Sequence, residues 1–367
     1  MKVQFLKPNI AEKDIKNAVR VLRSGWLAPG RYTGELEENF ARYLGVKYAV
    51  MTGSCTAALH MALILAGIKE GDEVITTPIS YVATSNVILY QNAKPVFVDV
   101  EPNTGLIDAE KIEKAITKKT KAIIPVHLYG QMVDMKKLKK IADKHKLVII
   151  EDAAHAIESE RDGIKPGQSS FAACFSFHTA KNITSGQGGM FVTNNLKNFK
   201  IAKMLRRDGV INIDAKRQMF ILGYKYDSTD FQAAMLVSQL DRIKNQLKIR
   251  ERSFKKYAVV FDKINIEFPK TLPNVRHACH MFVIWVNPKK RDQIRKDLEK
   301  ACVQTSIHYD PIHLEPYYKK TFGYKKGDFP IAERRGFSTI TLPLYPALTK
   351  KEQDYVIEKV IESVRAS

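Results

Sequence analysis

A carboxylate and an amine each follow a predicted buried strand in this sequence. Asp152 lies at the end of the apolar run 147–150, and Lys181 lies in the loop after the run 172–177. A lysine amine can form a Schiff base with a carbonyl compound, and burial beside a positive charge lowers its pKa enough for it to react. Taken singly, Asp152 could equally cap a helix, and most lysines are solvated surface residues.

The two side chains together suit a cofactor that carries both an aldehyde and a pyridine ring. An aspartate pairs with the protonated pyridine nitrogen and a lysine holds the aldehyde carbon, which is the requirement of pyridoxal phosphate. The ring also needs an aromatic partner on its face. Tyr81 follows a predicted strand and either takes that role or packs in the core at a helix start.

The phosphate of such a cofactor needs backbone N–H groups at a helix N-terminus, helped by small hydroxyl side chains. The segment 52–59 supplies these between a strand and a helix, although Ser54 or Thr56 could be an ordinary N-cap. The glycine-rich turn 186–189 allows a close backbone approach to a ligand. Neither a P-loop nor the dinucleotide-binding spacing is present.

The elements that must position these residues are predicted by an alternation of β-branched runs and amphipathic segments. The alternation indicates an α/β fold with a mostly parallel seven-stranded sheet between helices. Ligands of such sheets bind beyond the carboxyl ends of the strands, where the chemical residues lie. The predicted strands are 48–52, 73–76, 95–100, 121–126, 146–151, 172–177 and 189–193, and the predicted helices are 56–66, 82–91, 109–116 and 135–145.

The pattern changes near residue 245. A long helical stretch at 229–256 leads into predicted strands at 281–286 and 305–308, and an amphipathic helix at 350–364 closes the chain. We expect residues 1–245 to form a large cofactor-binding domain. Residues 246–367 should form a smaller α+β domain.

Composition argues against several classes of function. No run of about 20 apolar residues could span a membrane, and no signal peptide begins the chain, so we expect a cytoplasmic protein. The four cysteines lie far apart without a CxxC pair, which argues against a zinc site and a disulfide framework.

The net charge is +20, yet no nucleic-acid-binding motif is present, so we expect no nucleic-acid partner. The charge could still steer an anionic nucleotide substrate.

Over nearly its full length the chain resembles the fold-type I sugar aminotransferases of the DegT/DnrJ family. The resemblance rests on many short motifs that occur in one order. The matching segments include 24–27, 53–59, 77–81, 94–99, 125–130, 151–155, 176–189, 223–226, 229–234, 307–317, 327–330 and 342–346.

The resemblance implies a role for each chemical side chain. Lys181 would hold the cofactor and later move the proton, with Asp152 at the pyridine nitrogen. His155 would contact the side of the ring that carries the 3-hydroxyl group, and Tyr81 would lie against the ring face. The residues implied to hold the phosphate are Ser54, Cys55, Thr56 and Ser176.

Other positions bear on the substrate side. By resemblance, His313 faces the sugar pocket. Lys225 stands where many members have an asparagine that reaches the phosphate from the neighbouring subunit, and a lysine would offer a point charge instead. Gln187 replaces a common glutamate, so no carboxylate role is carried over to it. Some relatives replace the lysine by histidine and perform dehydration, and Lys181 argues against that branch.

The implied reaction is a ping-pong transamination. L-glutamate would leave as 2-oxoglutarate, and a keto sugar linked to a nucleotide diphosphate would receive the amine. A homodimer is expected because a neighbouring chain helps to close the site in this family. The pattern at 306–313 resembles enzymes acting at C4 more than at C3, which favours a 4-keto-6-deoxy sugar.

Two alternatives remain at this point. The first is a pyridoxal-phosphate aminotransferase acting on a non-sugar keto substrate, such as a cyclitol or the precursor of an amino-hydroxybenzoate. The second is a non-catalytic regulatory or nucleic-acid-binding protein that uses the basic surface.

Overall fold

A computed structural model describes residues 1–214 and 216–366 of the chain. The strands are β1 (Tyr48–Thr52), β2 (Glu73–Thr76), β3 (Lys94–Phe97), β4 (Thr120–Ile123), β5 (Val148–Asp152), β6 (Glu160–Arg161), β7 (Ala172–Ser176), β8 (Gly189–Thr193), β9 (Val210–Ile213), β10 (Lys216–Met219), β11 (Val275–Arg276), β12 (Phe282–Trp285) and β13 (Thr339–Leu342).

The helices alternate with the central strands and then dominate the second half of the chain. They are α1 (Glu12–Ser24), α2 (Arg31–Leu44), α3 (Cys55–Leu65), α4 (Ala83–Leu89), α5 (Ala109–Ala115), α6 (Met135–His145), α7 (Leu196–Leu205), α8 (Asp230–Asp241), α9 (Ile243–Lys263), α10 (Arg291–Lys300), α11 (Pro316–Phe322), α12 (Pro330–Ser338) and α13 (Lys350–Ala366).

Within the described residues, seven strands form the central sheet in the order β1-β8-β7-β5-β4-β2-β3. Strand β8 runs antiparallel to both of its neighbours, and the other paired strands are parallel. The carboxyl ends of β1, β2, β5 and β7 therefore lie at one edge of the sheet, together with the amino end of β8. The predicted fold class, an α/β fold with a mostly parallel seven-stranded sheet, is confirmed.

Both faces of the sheet are covered because side chains alternate along each strand. In β8, Met190 and Val192 belong to the core beneath α2 and α8, while Phe191 belongs to the core beneath α3 and α7. A strand buried on both faces reads as a continuous apolar run, and this explains why these strands were recognisable from sequence.

Two predictions for the second half of the chain were wrong in detail. The helical stretch 229–256 is two helices, because Arg242 leaves the helical conformation (φ −101°, ψ 3°) between α8 and α9. Residues 305–308 do not form a strand in the described structure: Ser306 makes a single bridge to Thr341, and the chain then turns away toward the central sheet. The hairpin of β9 and β10 was not predicted.

A separate apolar core supports the two-domain division predicted near residue 245, which we keep as a proposal. This core is built from α9, α10, α13, β12 and β13, and the N-terminal Val3 joins it. Other side chains of β12, among them Val283 and Trp285, pack into a core of the large domain. The second half of the chain thus rests directly against the central sheet region.

None of the helices among the described residues has both the length and the apolar character that crossing a bilayer requires.

Close approach of β8 to the loop after β1 gives a first prediction. A Cβ added to Gly189 would lie 2.3 Å from the carbonyl carbon of Ser54 and 2.5 Å from the nitrogen of Cys55. Backbone atoms cannot yield as a flexible side chain can, so Gly189→Ala should lower the free energy of unfolding by about 1–3 kcal/mol. Denaturant unfolding measures this change.

Gly34 provides the matched control. It lies inside α2, and a Cβ there would meet nothing within 4 Å. Gly34→Ala should therefore raise the free energy of unfolding by about 0.5–1 kcal/mol. Equal stability of the Gly189→Ala protein and the unsubstituted protein would show that the contact is not tight.

Candidate active site

A cavity of about 550 Å³ opens at the edge of the sheet where β1, β2, β5 and β7 end. Strand ends and the loops after them position its walls, as expected for ligand sites in parallel sheets. The structure brings together here eight of the residues singled out from sequence: Ser54, Cys55, Thr56, Tyr81, Asp152, His155, Ser176 and Lys181.

Asp152 is the last residue of β5 and is held by two hydrogen bonds. The Thr84 hydroxyl donates to Oδ2 at 2.7 Å, and the Ala154 N–H donates to Oδ1 at 3.1 Å. Burial raises the pKa of Asp152, while these two bonds and the nearby Lys181 lower it. Turns rather than a helix follow the strand, so the N-cap interpretation of Asp152 is wrong.

Lys181 lies in the loop between β7 and β8 and faces the same cavity. Burial lowers the pKa of its amine to about 8, and the proximity of Cys55 and Asp152 partly offsets this effect. An amine with this pKa exists in both protonation states near neutral pH, as acid–base and nucleophilic work requires.

The N-terminus of α3 forms one wall of the cavity. Ser54 is the N-cap, and its hydroxyl oxygen accepts from the Ala57 N–H at 3.1 Å. Ser54 is therefore an N-cap and a cavity-lining residue at once. The first N–H groups of a helix have no partners within the helix, so Cys55 and Thr56 present a site for an anion.

An aromatic and histidine wall closes the cavity on another side. Tyr81 is 62% exposed, which excludes the alternative that it packs in the core, and its ring lies 6.3 Å from the ring of Tyr309. His155 Nδ1 accepts from the Tyr129 N–H at 3.2 Å, and Nε2 lies 3.2 Å from the Tyr309 hydroxyl.

These contacts fix the state of His155. Burial, followed by the proximity of Lys181, lowers the pKa of His155 well below its usual range, so the ring is neutral. Because Nδ1 accepts a hydrogen bond, Nε2 carries the hydrogen and donates it to Tyr309. The hydrogen of the Tyr309 hydroxyl is then available to a ligand in the cavity.

His313 is placed elsewhere, which corrects the prediction that it faces the sugar pocket. Its side chain is fully buried, bonds Glu333 Oε1 at 3.0 Å, and packs against the ring of Phe329. The Ile312 N–H donates to the Pro78 carbonyl and anchors this segment. The His313 side chain therefore points into an aromatic cluster that includes Phe329.

Lys225 does not line the cavity of its own chain either. Its side chain is 72% exposed and forms an ion pair with Asp227 at 3.1 Å. A role of Lys225 toward a neighbouring subunit stays a prediction.

Sequence reasoning missed Thr84, His308 and Tyr309, which also line the cavity. Tyr309 lies in a segment that the resemblance included, but its contact with His155 joins residues 154 positions apart. Thr84 lies one helical turn after Tyr81, and this spacing could have suggested it as a neighbour of the site.

Comparison with known proteins identifies the family. Residues 8–361 match the sequence model of the DegT/DnrJ/EryC1/StrS aminotransferase family. The chain is 37% identical to the spore coat polysaccharide biosynthesis protein SpsC of Bacillus subtilis (98% of this chain, 96% of that protein). It is 35% identical to GDP-perosamine synthase of Caulobacter vibrioides (97% and 96%). It is 32% identical to the UDP-4-amino-4-deoxy-L-arabinose–oxoglutarate aminotransferase of Shewanella sediminis (98% and 97%).

Solved structures agree with these relatives. The PLP-form of Spr1654 from Streptococcus pneumoniae superposes with a TM-score of 0.96 at 30% identity, covering 100% of this chain and 99% of that chain. Helicobacter pylori PseC, an aminotransferase involved in the biosynthesis of pseudoaminic acid, gives 0.94 at 28% identity with both chains fully covered. The chain is thus a pyridoxal-phosphate-dependent transaminase of a sugar aminotransferase family.

The residues of the cavity fit that cofactor. A carboxyl group that accepts hydrogen bonds from Thr84 and Ala154 suits a protonated pyridine nitrogen. An amine of lowered pKa suits an aldehyde, and a helix N-terminus suits a phosphate. These groups line one cavity.

The hydrogen bond from Thr84 to Asp152 gives a second prediction. Thr84→Val removes the donor without changing the shape of the side chain, so the pKa of Asp152 should rise further. Cofactor affinity should weaken on the order of 10-fold. On acidification, the variant should also lose cofactor affinity at a higher pH than the unsubstituted protein does. The reason is that only the charged carboxylate pairs with the pyridine nitrogen.

Titration of the cofactor-free protein with pyridoxal phosphate across a pH series measures both effects. Thr84→Ser keeps the hydroxyl and serves as the control, which should bind like the unsubstituted protein. A Thr84→Val protein with unchanged affinity at every pH would remove Thr84 from the site.

Proposed function

The chain belongs to the DegT/DnrJ/EryC1/StrS aminotransferase family, and from this premise we propose that it aminates a keto sugar carried on a nucleoside diphosphate, with L-glutamate as donor. One observation carries the proposal: Asp152 and Lys181 line a single cavity whose walls include an anion-binding helix N-terminus. Two relatives are named for a GDP-linked and a UDP-linked amino sugar, which supports the substrate class.

The side chains divide the chemical work. Pyridoxal phosphate, when bound, supplies an electron sink and an aldehyde that exchanges amino groups. Lys181 takes up and returns a proton, since its pKa of about 8 permits both states near neutral pH. Asp152 holds the pyridine nitrogen in its protonated form. Neutral His155 orients Tyr309, whose hydroxyl can then donate to a ligand.

The names of the relatives also support the proposed donor and position of amination. The name of the Shewanella protein includes oxoglutarate, which is what glutamate becomes after losing its amino group. The same name places the amine at C4 of the sugar, which supports a 4-keto sugar, and we propose a 4-keto-6-deoxy sugar. The net charge of +20 would favour the approach of a substrate that carries two phosphates.

Product analysis with a substrate panel tests this proposal. The protein loaded with pyridoxal phosphate is incubated with L-glutamate and with UDP-, dTDP- or GDP-linked 4-keto sugars, and products are identified by mass spectrometry. We expect an amino sugar nucleotide and 2-oxoglutarate in equal amounts. Amination of a keto-cyclitol or of an amino-hydroxybenzoate precursor, with every nucleotide sugar left unchanged, would reject the proposed substrate class.

Lys181 gives a third prediction. Lys181→Ala should abolish product formation and the absorbance of the lysine-bound cofactor, because no other amine lines the cavity among the described residues. Lys300→Ala provides a lysine control, since the Lys300 side chain is 77% exposed, does not line the cavity, and its loss should leave both the absorbance and product formation in place. Retention of full turnover by Lys181→Ala would overturn the role of this amine.

We also infer a homodimer in which Lys225 acts on the neighbouring cavity. Exposed apolar side chains lie shortly before Lys225 in the sequence, at the end of β10 and just after it: Met219 is 63% exposed, Phe220 51% and Leu222 73%. Apolar surface of this kind marks an interaction site. Symmetric association would carry Lys225 to the partner, where its ammonium could bind the cofactor phosphate.

Mixing two inactive variants tests this arrangement. Lys181→Ala and Lys225→Ala proteins, each alone, should have little activity. Unfolding and refolding an equal mixture should restore about a quarter of the unsubstituted activity, because half of the dimers would be mixed and each would contain one intact site. Failure of the refolded mixture to exceed either parent, with unsubstituted protein recovering fully, would contradict a cross-subunit role.

A further inference from the structure

A second and much smaller chamber lies behind Lys181. Its volume of about 10 Å³ is close to the minimum that one water molecule occupies. Lys181, His155 and Ser176 line both this chamber and the active-site cavity, so they form the wall between the two. The other polar side chains that line the chamber are those of Asn182 and His280.

A buried ion pair lies next to this chamber. The side chains of Glu158 and Arg250 are 0% and 2% exposed and contact each other directly. Burial raises the pKa of Glu158, and Arg250 counteracts that effect. The second carboxylate oxygen, Oε2, accepts from Asn182 Nδ2 at 2.8 Å. Glu158 is therefore connected to the residue that follows Lys181 in the chain.

The hydrogen-bond geometry determines how Asn182 and His280 are oriented. Asn182 Nδ2 donates to Glu158 and also to the Ala278 carbonyl at 3.0 Å, so its amide cannot be reversed without losing both bonds. Asn182 Oδ1 then lies 3.1 Å from His280 Nδ1. Since an amide oxygen only accepts, His280 Nδ1 must carry a hydrogen.

This leaves one nitrogen of His280 without a hydrogen. Burial lowers the pKa of His280 well below its usual range, so the ring is neutral and Nε2 is a bare acceptor. Nε2 is buried, and among the described residues it has no hydrogen-bond partner. A buried acceptor without a partner is costly, and an ordered water commonly supplies the missing bond.

We propose that Glu158 is a positioning residue for Lys181. Through Asn182 it holds His280 in the tautomer whose bare Nε2 binds one water in the chamber, and this water accepts a hydrogen bond from the lysine amine. The water thereby gives a partner to both His280 and Lys181. The inference rests on the role of Lys181 in the proposed function.

The water has a chemical consequence for the lysine. An acceptor beside the amine stabilises its protonated form, so the water raises the pKa of Lys181 above the value that burial and the surrounding side chains give it. Loss of this acceptor would therefore lower the pKa. The other titratable or charged groups that act on Lys181 or His280 are Cys55, Asp152, His155, His178, His277, His308 and Arg250.

Substitution of His280 tests the water directly. His280→Phe removes Nε2, whereas His280→Gln retains both a donor for Asn182 and an acceptor for water. In the cofactor-free protein, the rate at which an acylating reagent labels Lys181 is followed against pH by peptide mass spectrometry. His280→Phe should lower the midpoint by about one pH unit, and His280→Gln should keep it near that of the unsubstituted protein.

Substitution of the ion pair tests the part played by Glu158. The double variant Glu158→Leu with Arg250→Met removes both charges, so a shift in the labelling midpoint of Lys181 cannot come from a change in net charge. We expect a shift in the direction of the His280→Phe protein. The matched control is Asp14→Leu with Arg242→Met, which removes a second, largely buried ion pair. Neither of its residues lines the chamber or the active-site cavity, so the midpoint should stay unchanged.

Circular dichroism measures whether each protein is folded before labelling. If the ion-pair variant does not fold, the two His280 variants still test whether the water acts on Lys181. A crystal structure of the unsubstituted protein should contain one water bonded to His280 Nε2. An empty chamber, an unchanged midpoint in His280→Phe, or equal shifts in the two double variants would overturn the proposal. Labelling involves no sugar, so such a failure would leave the proposed substrate class standing.

Discussion

The burial of Asp152 next to Lys181 is the constraint on which the rest of the site depends. Removal from water works against charge on both groups: it raises the pKa of the carboxyl and lowers that of the amine to about 8. Hydrogen bonds from Thr84 and Ala154 counteract this effect for Asp152, because they stabilise its charged form. The Lys181 amine, with its pKa of about 8, can gain or lose a proton near neutral pH. The pair thus combines a carboxyl group whose charged form accepts two hydrogen bonds with an amine that can exchange protons.

The central sheet is what allows two such residues to meet. Asp152 ends β5 and Lys181 follows β7, which is its neighbour in the sheet, and parallel strands bring their carboxyl ends to one edge. The antiparallel β8 then returns the chain directly under the N-terminus of α3. A glycine at position 189 permits that approach, because any side chain there would collide with the backbone of Ser54. The anion site and the lysine loop are therefore positioned by the same strand.

The histidines around Lys181 share one property. Burial lowers the pKa of His155, His280 and His308, and the nearby lysine lowers each of them further. Neutral imidazoles can surround a protonated amine without repelling it, and each offers one donor and one acceptor. The Tyr129 N–H sets the tautomer of His155, and the Asn182 amide oxygen sets that of His280. Tyr309 reaches this group from the second half of the chain.

The sequence by itself determined the α/β fold and the residues that follow each strand, because doubly buried strands and glycine-rich turns have local signatures. It also singled out Lys181 and Asp152 as candidates, because each follows an apolar run and Lys181 precedes a glycine-rich turn. Contacts between distant segments were decided only by the tertiary structure. Tyr309 reaches His155 while His313, four residues further on, turns into an aromatic cluster. That difference depends on how a loop packs against other elements, and no local pattern encodes it.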